Sequence, residues 1–213
     1  MFRAKMLRVF ICGAHSVGKT TLVDEVGKEL PNIHKQGEVA RKVIKDLNLR
    51  REDFDPRINP AKFEELQKKI LEAQCEAEKR NSKVGRSYIA DRGIDPLVYA
   101  LVYLGKDSMK RLLNLPSSQE CINRYKNSLV FVVRPFPECV QTDNIRLVPK
   151  MDELLDYTDK METILRDNAI PYTVIDVLDL KERVKIVKEK ILEYNGLKFS
   201  TRTDKEINLI RDD

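Results

Sequence analysis

Apolar and polar positions follow two rhythms along this chain. Short unbroken apolar runs, rich in β-branched and aromatic residues, recur at residues 7–12, 87–91, 128–133 and 172–176, with a more polar fifth run at 33–36. Runs of that length between turn-forming residues predict buried strands. Elsewhere apolar residues return at steps of three and four. Phe63, Leu66, Ile70, Ala73 and Ala77 do so after Asn59-Pro60 and before Asn81-Ser82, which predicts a helix from Ala61 to Arg80. Leu154, Leu155, Thr158, Met161 and Leu165 predict another over Met151 to Asp167. Val184, Val187 and Ile191 predict a third over about Leu180 to Tyr194, stopped by Asn195-Gly196. Thr21 to Leu30 reads as a helix soon after the first strand. Strands alternating with helices imply an α/β fold, a five-stranded parallel sheet with helices on both faces. Such sheets bind ligands beyond the carboxyl ends of their strands, where strand order reverses. Functional residues are therefore to be sought just after each strand.

The residues after the first strand carry the strongest signal. Gly13, Ala14, His15, Ser16, Val17, Gly18, Lys19 and Thr20 spell G-x-x-x-x-G-K-[ST] between a strand and a helix. A glycine-rich turn lets backbone N–H groups close around phosphates, and the helix N-terminus adds positive potential. At the average abundance of glycine, the pattern arises by chance in very roughly one chain in a hundred of this length. Lys19 is positioned to reach the β- and γ-phosphates and Thr20 to ligate Mg²⁺. Together with Thr21 these are the candidate nucleotide-binding residues. ATP is the expected nucleotide. GTP stays open, although no N-K-x-D base-reading motif is present.

Three further strand ends offer chemistry. Asp91-Arg92-Gly93 follows the third strand, where an acid can hold the Mg²⁺ shell and Arg92 can face phosphate. The plainer alternative is a salt-bridged turn with Gly93 supplying an unusual backbone angle. Glu38 and Arg41, three apart at the start of a helix after the second strand, share one face. Glu38 can accept from sugar hydroxyls and take a proton, or merely complement the helix N-terminus. Arg134 to Pro149, after the fourth strand, holds Pro135, Pro137 and Pro149 and the cations Arg134 and Arg146, with Lys150 just beyond. A loop of this length inside an α/β domain reads as a lid, with an arginine facing charge on the transferred phosphoryl group. The 50–60 segment, with Arg50, Arg51, Asp53, Asp55 and Arg57, leaves open whether it closes over substrate. His15 occupies a variable position of the phosphate loop, and His34 reads as a structural neighbour of the second strand.

Bulk properties narrow the picture. The 213 residues suit one domain, taken as residues 1–195 with a polar tail over 196–213. A net charge of +5, from 39 basic and 34 acidic residues well mixed, suits a phosphorylated ligand and gives little support to nucleic acid. Cys12, Cys75, Cys121 and Cys139 show no metal spacing and read as reduced thiols, with Cys12 a buried strand residue. The longest apolar run, Leu97 to Leu104, is far short of a membrane span. The basic start is followed by too short an apolar segment for a secretory signal. A cytoplasmic protein is expected, its oligomeric state open.

The order G-A-H-S-V-G-K-T, E-V-A-R, I-A-D-R-G-I-D-P-L-V-Y-A, T-D-N-I-R and I-P-Y-T-V-I-D resembles a P-loop kinase-like family. That family contains the nicotinamide riboside kinase domain of bacterial regulators of NAD metabolism. The resemblance covers roughly residues 6–194, and D-R-G-x-x-D-P-x-x-Y is its most distinctive stretch. It implies that Gly13 to Thr20 bind nucleotide phosphates, Glu38 and Arg41 face an acceptor nucleoside, Asp91 and Arg92 serve metal and phosphate, and Arg146 is the lid arginine. Family members often carry Asp-Gly-x-Arg in the lid. Here the residues are Asp143-Asn144-Ile145-Arg146, and asparagine tolerates the left-handed backbone that glycine would supply. The expected activity is Mg²⁺-dependent transfer of the γ-phosphoryl of ATP to a hydroxyl of a small, nucleoside-like acceptor. Glu38 is the first candidate for the base and Asp91 for the metal, in roles that could be exchanged. A nucleotide-dependent switch with slow hydrolysis and a kinase for polynucleotide ends are the alternatives.

Overall fold

The structure is a computed structural model that describes residues 6–139 and 150–196. Five strands form one sheet: β1 (Arg8–Cys12), β2 (His34–Gln36), β3 (Tyr88–Asp91), β4 (Leu129–Val133) and β5 (Thr173–Ile175). Their order is β2-β3-β1-β4-β5, and every pairing is parallel. The chain leaves β1 toward one edge, returns through β3, and crosses to β4 on the other side. The reversal of order therefore lies between β1 and β3, where a parallel sheet opens its ligand crevice.

Eight α-helices cover the sheet among the described residues: α1 (Lys19–Glu29), α2 (Val39–Asp46), α3 (Pro60–Lys83), α4 (Asp95–Leu104), α5 (Lys106–Leu113), α6 (Pro116–Tyr125), α7 (Met151–Asp167) and α8 (Leu180–Tyr194). Right-handed crossovers put α1 on one face and α3 to α7 on the other, and the packing agrees. Helix α1 meets α8, while α3 meets α4 and α6, and α4 meets α7. Phe10, Ile11, Ile89, Phe131, Val132, Leu22 and Met161 are fully buried between these layers. Strands shielded on both faces explain why their sequences read as continuous apolar runs. No helix among the described residues is long and apolar enough to cross a membrane.

Two element boundaries depart from the sequence expectation. Helix α3 continues through Asn81 and Ser82 to Lys83. Asn81 is buried, and its amide donates to Gln36 Oε1 of β2 at 2.8 Å, so a residue that reads as a helix stop is held by a tertiary contact. Residues 95–125 hold three helices where periodicity marked only an apolar run. Gly105, at φ 90°, breaks α4 from α5, and Pro116 opens α6 at a position where its missing N–H costs nothing. The polar tail from Leu197 onward lies outside the described residues.

Candidate active site

The turn between β1 and α1 is shaped by three residues with positive φ: Gly13 at 140°, Ser16 at 62° and Gly18 at 87°. A Cβ on Gly13 would lie 2.7 Å from the Val133 carbonyl oxygen, so β4 leaves no room for a side chain there. Left-handed residues interleaved with right-handed ones curl the backbone into the concavities that hold anions. Helix α1 starts at Lys19. Lys19 is buried, and its Nζ donates to the Ala14 carbonyl across the loop. His15 is half-buried, whereas Thr20 and Thr21 are exposed along the start of α1.

Sheet register brings the acid to this loop. Asp91, the last residue of β3, pairs with Ile11 of β1. Thr20 Oγ1 donates to Asp91 Oδ2 at 2.5 Å. The other carboxylate oxygen, Oδ1, is buried with no hydrogen-bond partner among the described residues. A buried oxygen with free lone pairs beside a threonine hydroxyl fits a hard divalent cation. The described residues contain no group of three or more His, Cys, Asp or Glu able to hold a metal.

Arg92 stands next to it with φ 90°, a backbone angle that costs a non-glycine residue about 1–3 kcal/mol. The conformation is pinned from several sides. Its backbone N–H donates to the Ile11 carbonyl at 2.9 Å, its Nε to Glu38 Oε1 at 2.9 Å, and a terminal N–H to Asp95 Oδ1 at 3.0 Å. Asp95, buried at the first turn of α4, also accepts from the Gly93 N–H at 2.8 Å and from the Tyr157 hydroxyl at 3.1 Å. In the plainer salt-bridged-turn alternative Gly93 supplies the unusual angle, and that detail is corrected. Arg92 takes that angle, and Gly93 is small because a Cβ there would meet Cys12 Sγ at 2.8 Å.

Glu38 is the N-cap residue of α2, but its side chain makes no capping bond. Its two oxygens instead accept from Arg92 and, at 2.7 Å, from Arg41 Nε. Burial alone would push the Glu38 carboxyl up, yet the Arg92 and Arg41 guanidiniums hold it below the usual carboxylate range. Lys19 is displaced in the opposite sense. Burial, then the charge of Arg92, bring its pKa down to about 7 against the pull of Asp95, Asp91 and Glu38.

The sequence-predicted residues of three strand ends thus converge, while those of the fourth do not. Arg134 pairs with Glu162 of α7 at 3.1 Å, and Lys150 is the exposed N-cap residue of that helix. Arg146, the expected lid arginine, lies outside the described residues. The 50–60 segment is held by local bonds, from the Arg50 N–H to Asp53 at 2.7 Å and from Arg57 to Asp55 at 2.7 Å.

Sequence reasoning missed two residues. Asp95 lies inside the D-R-G-x-x-D stretch but received no role. Arg183 of α8 is 2% exposed and braces the phosphate loop, with one N–H to the Val17 carbonyl at 2.7 Å and Nε to the Val177 carbonyl at 2.7 Å. Its signal was its register, four residues before Val187 and eight before Ile191, on the helix face that points inward.

Residues 8–183 match the model of a family described as AAA domain. No curated protein matches the chain. Among solved structures, a NadR protein in complex with NAD and AMP-PNP is similar at a TM-score of 0.69 and 20% identity, over 93% of this chain and 52% of that one. This chain therefore spans about half the length of that NadR structure. A deoxyadenosine kinase from M. mycoides with bound dCMP and dCDP is similar at a TM-score of 0.56 and 18% identity, over 88% of this chain and all of that one. A shikimate kinase from Acinetobacter baumannii in complex with shikimate gives 0.52 and 13%, over 92% and 97%. These likenesses establish a P-loop kinase fold and bear out the family resemblance drawn from the motifs.

Proposed function

This chain belongs to the AAA domain family, and from that premise we propose that it is a kinase moving the γ-phosphoryl of ATP to a hydroxyl of a small, nucleoside-like acceptor. One observation carries the proposal: the phosphate loop, Thr20–Asp91 and the Glu38–Arg92–Asp95 chain meet at the strand-order reversal. The first two parts suit a nucleoside triphosphate with its cation. The third puts two carboxylates and a guanidinium beside the loop, groups suited to holding an acceptor hydroxyl. The ligands bound in the kinase structures named above are compatible with the same division.

Phosphoryl transfer demands positioning and charge neutralisation more than covalent chemistry. Loop amides and Lys19 hold the β- and γ-phosphates. Thr20 and Asp91 would hold Mg²⁺, which neutralises phosphate charge when bound. Glu38 orients the acceptor hydroxyl. As the new P–O bond forms and the bond to the β-phosphate breaks, Glu38 takes the hydroxyl proton and ADP leaves. A carboxylate of lowered proton affinity suffices, because a loose transition state gives up that proton late. Arg92 fixes Glu38 and presents charge to the transferred group. Arg146 is proposed to supply a lid cation.

Release of ADP from Mg·ATP across a panel of nucleosides and other alcohols tests this. Acceptor-dependent turnover is expected, reduced at least a hundredfold in Glu38→Gln with Mg·ATP affinity within about threefold of the parent. Turnover that ignores every acceptor, or that survives Glu38→Gln, overturns the reading.

A further inference from the structure

The end of the sheet remote from the phosphate loop carries a cavity that phosphoryl transfer does not use. It has a volume of about 550 Å³ and opens between the last turns of α3, the first residue of β1 and the end of α6. Arg8, Lys79, Arg80, Lys83 and Arg124 line it, against a single lining acid, Glu76. Lys79 is answered by Glu76 and Glu120 at 3.3 and 2.8 Å, and Arg124 by Glu78 at 2.8 Å. Among the described residues no carboxylate pairs with Arg8, Arg80 or Lys83. The Arg8 Nε and the Ser82 hydroxyl, both in the lining residues, are buried without a hydrogen-bond partner. The carbonyl ends of α3 and α6 offset only about half a charge each. An excess of cations remains.

We propose that this cavity is a second binding site, for a small phosphate-bearing anion. Three uncompensated cations, two of them guanidiniums, match phosphate oxygens. The depression is open to solvent and large enough to admit a small phosphate ester. The absence of a longer basic stripe in the sequence argues for a small anion over a nucleic-acid strand.

The wall of this cavity is tied to the acceptor side of the first site. Arg124 Nε donates to Glu78 Oε2 at 2.8 Å. Glu78, fully buried in α3, accepts on Oε1 from the Tyr125 hydroxyl at 2.8 Å and from Gln74 at 3.3 Å. Gln74 Nε2 in turn donates to the Gly93 carbonyl at 2.7 Å, in the turn that carries Arg92. Occupancy at Arg124 is thereby felt at Gly93.

Inorganic pyrophosphate is the probe, because it can enter either site without turnover. In Lys19→Ala, which disables the phosphate loop, calorimetry should still find one pyrophosphate per chain. Adding Arg80→Ala and Lys83→Ala, both exposed positions whose loss leaves the fold intact, should weaken that binding at least tenfold. No binding in Lys19→Ala, or binding indifferent to the added pair, overturns the site. Affinity for single-stranded oligonucleotides that climbs with each added nucleotide also overturns it, in favour of a polymer surface. The Gly93 amide resonance should shift when pyrophosphate binds Lys19→Ala, and stop shifting in Lys19→Ala/Gln74→Leu. A Gly93 amide that never moves overturns the tie between the sites. None of these readouts needs catalysis, so their failure is distinct from failure of the kinase proposal.

Discussion

Lys19 shows how much a single buried charge can reveal. With its pKa brought to about 7 by burial and by Arg92, the free protein loses this proton as pH rises through neutrality. A bound triphosphate restores the preference for the charged form, so nucleotide binding above pH 7 must take up a proton. Affinity should be level below pH 7 and fall by up to tenfold per unit above it. Calorimetry at pH 8 in buffers of different ionisation enthalpy should report close to one proton gained per nucleotide. Gly93 makes a steric prediction. Gly93→Ala places a methyl 2.8 Å from Cys12 Sγ and should cost about 1–3 kcal/mol in denaturant unfolding, partly recovered by Cys12→Ala. The phosphate-loop residues were legible because their spacing is fixed by the ligand they wrap. Asp95 was not, because its partners Arg92 and Tyr157 lie three and 62 positions away, and the longer link is made only by the packing of α7 on α4.

Among the elements, strands and the helices with one clear apolar stripe were readable to within a few residues, since burial on both faces or on one stripe leaves a periodic trace. Helices α4 to α6 were not delimited. Helix α4 is apolar around most of its surface, and α5 and α6 are only eight and ten residues long. Helix α3 hides its chief feature in polar letters. Gln74 and Glu78, one turn apart, face inward among Tyr125, Arg124 and the Gly93 carbonyl. Burial lifts the Glu78 carboxyl above the usual range even though Arg124, Tyr125 and Gln74 pull it down. Removing Arg124 strands that charge, and loss of one partner of a buried pair costs about 3–5 kcal/mol. Arg124→Ala should show a loss of that order in urea unfolding near pH 7. Arg124→Ala combined with Glu78→Gln should be less destabilised, because no unpaired charge is left inside.

The whole molecule is organised around the phosphate loop, to which distant parts of the chain send single residues from both sides of β1. Glu38 arrives from just beyond the edge strand β2, Asp95 from the crossover after β3, and Arg183 from α8 on the β5 side. Arg183→Ala should lower stability by about 2–3 kcal/mol, the scale of charged hydrogen bonds lost from a buried group, and weaken Mg·ATP binding through a looser loop. Unfolding followed with and without nucleotide separates the two effects. The placement of Arg183 also has a bearing on synthesis. The phosphate loop is translated more than 160 residues before its brace. Until α8 has been translated, a nascent chain carries the loop without this brace and should hold nucleotide less firmly than the finished fold does.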